Sequence, residues 1–111
     1  MANFYKSETF NLTTTNLTTV LTINTSSIAI VKAVQTAVID NTNVDIDVTL
    51  KKSSGSDVEI AHKLLNKNTE NFAKDIINME AGDTLKVKAS VANKASGQVS
   101  YLMIDRSQEN G

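Results

Sequence analysis

A strict alternation of apolar and polar side chains over residues 44–51 constrains the fold more than any other feature of this chain. The eight residues read Val44, Asp45, Ile46, Asp47, Val48, Thr49, Leu50 and Lys51. Successive side chains of a β-strand point to opposite faces, so this pattern predicts a strand with one apolar and one polar face. We expect the four apolar side chains to cover the inside of a sandwich.

The same period of two recurs along the 111-residue chain, between short turns rich in Asn, Ser, Asp and Gly. It predicts about eight strands, at 3–12, 17–23, 28–40, 44–51, 58–65, 71–79, 84–91 and 98–104. Segment 71–79 also fits a helix, because Phe72, Ile76 and Met79 recur at helical spacing. We favour a strand with an irregular start. The predicted fold class is all-β, a single antiparallel β-sandwich of immunoglobulin-like or jelly-roll-like order.

Three strands carry further expectations about their faces. Segment 28–39 is apolar on both parities, which predicts burial on both faces, with an outer side able to touch another subunit. Two other strands are each predicted to present one inner face, formed by Leu17, Thr19, Leu21 and Ile23 in the first and by Val58, Ile60, His62 and Leu64 in the second. Gly82 lies in a turn and can take a positive φ.

One domain is expected to span residues 1–111. The first strand is polar in its middle, so we allow for an N-terminal arm at 1–12, and we expect a frayed polar tail at 105–111. The N-terminus has no signal-peptide pattern. The apolar run at 27–39 is interrupted by Lys32 and Gln35 and is too short to span a bilayer. These features predict folding in a cytoplasm without membrane contact.

Composition excludes several classes of function. The chain has no cysteine, which excludes disulfides, thiolate zinc sites and cysteine nucleophiles. Its formal net charge is −1, from 11 basic and 12 acidic residues, which provides no field to attract nucleic acid. Lys86 and Lys88 form a small basic stripe without interleaved aromatic residues. We interpret that stripe as a solubilising face.

Asp45, Asp47 and His62 are the residues that most resemble a chemical site. The two carboxylates share a strand face, roughly 7 Å apart. They could ligate calcium or act as an acid–base pair, but a solvated outer face is the favoured interpretation. His62, the one histidine, has no nucleophile motif beside it and is interpreted as structural or interfacial. We therefore predict no catalytic residue, no cofactor and no metal ligand.

Two long stretches contain recognisable motifs: residues 13–52 carry "TTVLTI", "SIAIVKAV" and "VDIDVTL", and residues 78–104 carry "AGDTLKVKAS" and "VSYLMI". In this order they resemble small virion proteins of tailed, marine or cyanophage-like bacteriophages. The similarity covers roughly residues 12–104, and segment 66–79 departs from the family's pattern. The resemblance implies a β-sandwich without an active site, present in many copies on a particle.

The resemblance implies a non-enzymatic structural protein of a phage virion, assembled in the host cytoplasm. The leading role is capsid decoration or cement on the outer capsid lattice, and the alternatives are a neck, tail or fibre-attachment component, or a virion-displayed glycan-binding module. The implied partners are the major capsid or the tail and neck proteins, together with further copies of the chain. We expect an interface formed by Phe4, Tyr5, Phe10, Val31 and Ile39. For the glycan alternative, Tyr5 and Tyr101 are the candidate stacking residues, although Tyr101 shares its parity with core positions.

Overall fold

A computed structural model of the chain describes residues 2–106, which form nine strands. They are β1 (Ala2–Leu12), β2 (Thr18–Thr22), β3 (Ser27–Val38), β4 (Val44–Lys51), β5 (Asp57–Leu65), β6 (Asn68–Asn71), β7 (Ile77–Met79), β8 (Thr84–Ala89) and β9 (Ala95–Asp105). The all-β prediction is confirmed. No stretch of residues 2–106 forms a helix long and apolar enough to cross a membrane.

The strands form two antiparallel sheets that pack face to face. Sheet A has the order β1-β9-β3-β6, with β7 also paired to β3, and sheet B has the order β2-β8-β4-β5. When β6 and β7 are counted as one interrupted strand, the eight strands have the order of a jelly roll, in which chain-consecutive strands lie in different sheets except for the β4–β5 hairpin. The immunoglobulin order places chain-consecutive strands A and B side by side, which sheet A does not do. The sandwich prediction is therefore resolved in favour of the jelly roll.

The two inner faces bury a single apolar core. In sheet B, the predicted alternation of β4 holds for Val44, Ile46 and Val48, which are fully buried. Leu50 at the end of this strand is half-buried and packs against the same core. From sheet A the core receives residues of the two central strands, among them Ala29, Val31, Val34, Val38, Val99 and Tyr101. Tyr101 is buried, as its parity predicts.

A bulge at Lys32 explains why β3 is apolar on both parities. In the pairing with β9, Val31 lies opposite Tyr101 and Ala33 lies opposite Ser100, so Lys32 is an extra residue. The extra residue switches which parity faces the core. Val31 before the bulge and Val34 after it both point inward. The prediction that both faces of this strand are buried is wrong, because its other face is only half covered.

Two further bulges correct the predicted faces of β2 and β5. The extra residue is Val20 in β2 and Ile60 in β5. Thr19 is consequently exposed, although Leu21 and Ile23 are buried as predicted. The predicted inner face of β5 is wrong, because Val58, Ile60, His62 and Leu64 are all exposed. The buried side of that strand carries Leu65, with Ala61 partly buried against the core.

The segment from 66 to 79 contains two short strands. Residues 66–70, expected to form a loop between two strands, in fact include most of β6. Of the strand predicted at 71–79, only Asn71 and Ile77–Met79 are regular. Between the two short strands the Asn71 side chain accepts hydrogen bonds from the N–H groups of Val34 (3.0 Å) and Ala73 (2.9 Å). Asn71 thus satisfies a β3 donor where the edge strand breaks. Phe72, Ala73 and Met79 are buried, so the segment closes one side of the core.

The chain ends are also tied into sheet A. Residues 2–12, predicted as an optional arm, lie in the sheet and pair with β9 from Ala2 opposite Asp105 to Leu12 opposite Ala95. Of the predicted frayed tail, Asp105 ends β9 and the N–H of Arg106 donates to the Ser26 carbonyl at 2.8 Å. Residues 107–111 lie outside the described part.

A buried carboxylate joins two turns at one end of sheet B. Asp83 is 1% exposed, and it accepts hydrogen bonds from the Lys52 ammonium (2.5 Å) and from the N–H groups of Ser53 (3.1 Å) and Glu80 (2.8 Å). Burial by itself would raise the pKa of Asp83, but these donors outweigh it and hold the pKa below its usual value. The adjacent Gly82 has φ +82°, as predicted, and a Cβ there would lie 2.7 Å from the Ser53 Cβ.

We predict that Gly97→Ala strongly destabilises the fold. A Cβ at Gly97 would lie 2.0 Å from the Gln35 carbonyl oxygen and 2.8 Å from the Phe10 ring, so the β3 backbone would have to move. The expected loss in the free energy of unfolding is about 3 kcal/mol or more. At Gly55 the nearest atom to a Cβ is 3.4 Å away. Gly55→Ala is thus the matched control, and urea unfolding compares the two. Equal stability of the two variants would contradict the close approach of β9 to β3.

We predict that Asp83→Asn destabilises the protein by roughly 2–4 kcal/mol at pH 7, because it removes the charge that Lys52 and two backbone donors contact. The folded-state pKa is lowered, so this stabilisation is present above about pH 4 and is lost as the pH falls through the folded pKa. Urea unfolding should therefore show that the difference in the free energy of unfolding between wild type and variant becomes smaller as the pH falls from 7 to 3. The control is Asp57→Asn, which breaks an exposed pair with Lys86 and should cost under about 1 kcal/mol. A difference in the free energy of unfolding that does not change with pH would disprove the role of the carboxylate charge.

Candidate functional site

The outer face of sheet B carries a row of charges across three strands. The register places Asp47 of β4 opposite His62 of β5 on one side and opposite Lys88 of β8 on the other. His62 Nδ1 makes a short hydrogen bond with Asp47 Oδ1, and His62 Nε2 lies 3.7 Å from Asp45 Oδ1. Asp45 and Asp47 therefore share an outer face, as predicted, and His62 joins them there.

The Ile60 bulge adds Glu59 to this row. It shifts the parity of β5 so that Glu59 lies opposite Thr49, on the face that already holds His62. The hydrogen bond that His62 donates to Asp47 raises the pKa of His62, and Asp45 and Glu59 add to the rise. The pKa of Glu59 is raised because its carboxyl group shares a hydrogen bond with Asp47, while His62 and Lys88 oppose the rise. Simple alternation does not predict the bulge, so sequence reasoning missed Glu59.

Asp47, Glu59 and His62 form the one donor set in residues 2–106 that could hold a metal ion. One ligand atom from each lies within 4.8 Å of the others. An imidazole nitrogen beside two carboxylate oxygens suits a zinc-like ion better than calcium. Without an ion, a protonated His62 offsets the repulsion between the carboxylates of Asp47 and Glu59. The cluster can therefore be explained by charge balance without a bound metal.

The lysines predicted to form a basic stripe are interleaved with acids. The Lys86 ammonium lies 2.9 Å from Asp57, and Lys88 lies opposite Asp47. Lys52 contacts Glu80 at 2.6 Å as well as Asp83. The stripe is therefore a mixed-charge surface, which does not provide the positive field that nucleic-acid binding needs.

A groove of about 410 Å³ runs along β5 beside the segment that joins β6 to β7. Its apolar wall includes Ile60, Phe72 and Ile77. The Lys63 ammonium crosses it to Glu70 at 3.1 Å, and Glu70 also contacts Lys74 at 2.7 Å. Lys63, Glu70 and Lys74 of the groove are thus paired with one another.

The first strand presents the predicted interface residues Phe4 and Tyr5. Residues 3–9 of β1 are all exposed, and the side chains of Phe4 and Tyr5 are 42% and 79% exposed. Tyr5 is held over the sheet by Lys32, whose ammonium lies 5.7 Å from the ring centroid. Phe10 is only half-buried, but it packs against the core. The accessible aromatic side chains of β1 are therefore mainly those in its first half, Phe4 and Tyr5.

Tyr5 lies beside an apolar patch on the outer face of sheet A. The register aligns Tyr5 with Leu102 and Leu102 with Ile30, and the next pair is Ile28 with Ile104. These four aliphatic residues are half-buried in the described chain. We call this surface of five residues, Tyr5, Ile28, Ile30, Leu102 and Ile104, the Tyr5 face.

Two other predicted interface residues do not belong to the Tyr5 face. Val31 is fully buried, so its prediction as an interface residue is corrected: the Lys32 bulge leaves it on the core side. Ile39 is 83% exposed but follows the far end of β3. Tyr101, a candidate for glycan stacking, is buried and donates its hydroxyl to Glu8 at 3.2 Å. Of the two candidate tyrosines, Tyr5 is the one that is accessible.

We predict that Asp47→Asn lowers the pKa of His62 towards its ordinary value of about 6.5. The variant removes the charged partner of the imidazole, and the single histidine makes a proton NMR titration unambiguous. Because the folded-state pKa is raised, any stabilisation is present below the unfolded pKa and lost as the pH rises through the folded value. Asp57→Asn, which removes an acid outside the His62 network, should leave the titration unchanged. An unshifted His62 in Asp47→Asn would disprove the pairing.

No family model and no curated protein sequence matches this chain. Several solved structures share its fold. A chain of the acidic stable capsid structure of Helicobacter pylori bacteriophage KHP30 matches with TM-score 0.59 and 12% identity, over 93% of this chain and 87% of that chain. A chain of the disulfide-linked pili of Bacillus endospore appendages matches with TM-score 0.54 and 8% identity, over 92% and 84%.

A third, Eiger TNF from S. frugiperda, matches with TM-score 0.51 and 11% identity, over 91% and 92%. At these identities the likeness concerns the fold alone. The chain thus shares its fold with chains of quite different proteins.

Proposed function

We propose that this chain is a non-enzymatic structural protein of a bacteriophage particle, and that it decorates or cements the outer capsid lattice. The observation that carries the proposal is the Tyr5 face, an apolar surface on the outer side of sheet A. The likeness of the fold to a phage capsid chain over 93% of the sequence supports it, as does the resemblance of residues 12–104 to small virion proteins.

The Tyr5 face has the chemistry of a protein contact. Contiguous apolar surface that remains exposed on a folded domain marks interaction sites. Tyrosine is enriched at the energetic centres of such contacts, since its ring buries a large area with few rotatable bonds. The face lies on a sheet, and a sheet surface suits the broad surface of a capsid subunit.

The charges of the chain suit dense packing of many copies. The formal net charge is −1, and several lysines are already paired within the chain. Examples are Lys94 with Asp40 at 2.7 Å and Lys86 with Asp57 at 2.9 Å. Little repulsion then opposes neighbouring copies on a lattice. The proposed partner is the major capsid protein of the same phage, and the proposed location is the virion.

The test adds purified protein to phage particles that lack it and images them by electron microscopy. We expect regular added density over the capsid lattice. Tyr5→Ser should weaken binding about tenfold or more, because burying an aromatic ring is worth about 1.5–3 kcal/mol. The matched control is Ile76→Ser, which removes an apolar side chain that is 58% exposed but lies outside the Tyr5 face.

Other outcomes separate the alternatives. Density confined to the neck or tail would replace decoration with a role in assembly or attachment. Equal binding by Tyr5→Ser and wild type would remove the Tyr5 face from the contact. The absence of added density, together with binding to a glycan array that Tyr5→Ser abolishes, would overturn the structural role in favour of glycan recognition.

A further inference from the structure

The outer edge of β1 is open, long and regular. On one side β1 pairs with β9 over eleven residues without a register shift. On its other side no strand of residues 2–106 is paired. The side chains of residues 3–9 are exposed on both faces of the strand, so no other part of residues 2–106 covers this portion of β1. Such an edge presents a row of free N–H and C=O groups that can pair with another strand.

The other three sheet edges are blunted. β2 contains the bulge at Val20, and β5 contains the bulge at Ile60. Lys63 of β5, opposite buried Ile46, places a charge on the inner side of that edge. The last edge is divided into β6 and β7 by residues 72–76. Bulges, inward charges and short strands all hinder edge pairing.

β1 has neither a bulge nor an interruption. It does carry two inward charges, Lys6 opposite Tyr101 and Glu8 opposite Val99, but these have opposite signs and can be neutralised by a partner strand.

The sequence of β1 is complementary to itself in the antiparallel direction. It reads Asn3, Phe4, Tyr5, Lys6, Ser7, Glu8, Thr9, Phe10 and Asn11. When two copies run antiparallel with Ser7 opposite Ser7, Lys6 of each faces Glu8 of the other. The same register places Phe4 opposite Phe10 and Asn3 opposite Asn11. Opposite charges and aromatic pairs stabilise cross-strand contacts, whereas like charges oppose them.

We propose that β1 is a homodimer interface, in which two copies of this chain pair antiparallel about a two-fold axis at Ser7. The pair makes one continuous sheet from the two copies of sheet A. Residues opposite each other in a sheet share a face, so the Tyr5 faces of both copies lie on the same side. The dimer forms from the chain alone, and it does not rest on the proposed capsid role.

Charge reversal tests the partner and the register together. Analytical ultracentrifugation of the full chain should show a dimer that dissociates on dilution. Lys6→Glu places two carboxylates opposite each other on both sides of the axis and should weaken dimerisation about tenfold. Adding Glu8→Lys restores opposite charges and should recover the affinity to within about threefold. Lys74→Glu, with the same change in net charge in the β6–β7 connection, should have no effect.

A single cysteine gives an independent readout, since the chain has none of its own. Ser7→Cys brings two thiols together across the axis at the spacing of facing side chains, so mild oxidation should produce a covalent dimer. Ser54→Cys, in the exposed β4–β5 turn, is the control for random collision. A monomer at every accessible concentration overturns the proposal. So does a dimer that Lys6→Glu leaves intact, or a Ser7→Cys variant that cross-links no faster than Ser54→Cys.

Discussion

The pairing of β3 with β9 is the constraint on which the rest of the structure depends. These strands form the centre of sheet A: β1 adds to one side of β9, and β6 and β7 add to one side of β3. Between them they supply Val31, Val34 and Val99 to the core, each fully buried. The two backbones approach so closely at Gly97 that no side chain fits there. The other strands complete a sandwich whose centre these two define.

Most of the fold could be predicted from alternation alone, and the errors in the predicted strand faces have a common cause. β8, which contains no bulge, buries Leu85, Val87 and Ala89 in strict alternation. Each bulge inserts one residue and exchanges the faces beyond it. Val20, Lys32 and Ile60 therefore account for the misplaced faces of β2, β3 and β5. A bulge leaves only an indirect trace in a sequence, such as inward valines three residues apart in β3.

For the candidate surfaces, too, the features set by a single strand could be predicted, and the features set by strand pairing could not. The shared face of Asp45 and Asp47 follows from one strand and could be predicted. Their contact with His62 and Glu59 requires the pairing of β4 with β5 and the position of the bulge. The Tyr5 face likewise joins β1, β3 and β9, which are far apart in the chain. Sequence reasoning identified the aromatic residue but not its aliphatic neighbours Leu102 and Ile104.

The position of β9 has a consequence for how the protein is made. β9, the last strand of residues 2–106, lies between β1 and β3, so sheet A has no centre until β9 has left the ribosome. Of the paired strands in residues 2–106, only β4 and β5 are consecutive in the chain, and this hairpin can form early. Folding dominated by such distant pairings is slow. Val31 and Val34 remain exposed in the nascent chain until β9 has been synthesised and can pair with β3, which makes chaperone binding most valuable before that point.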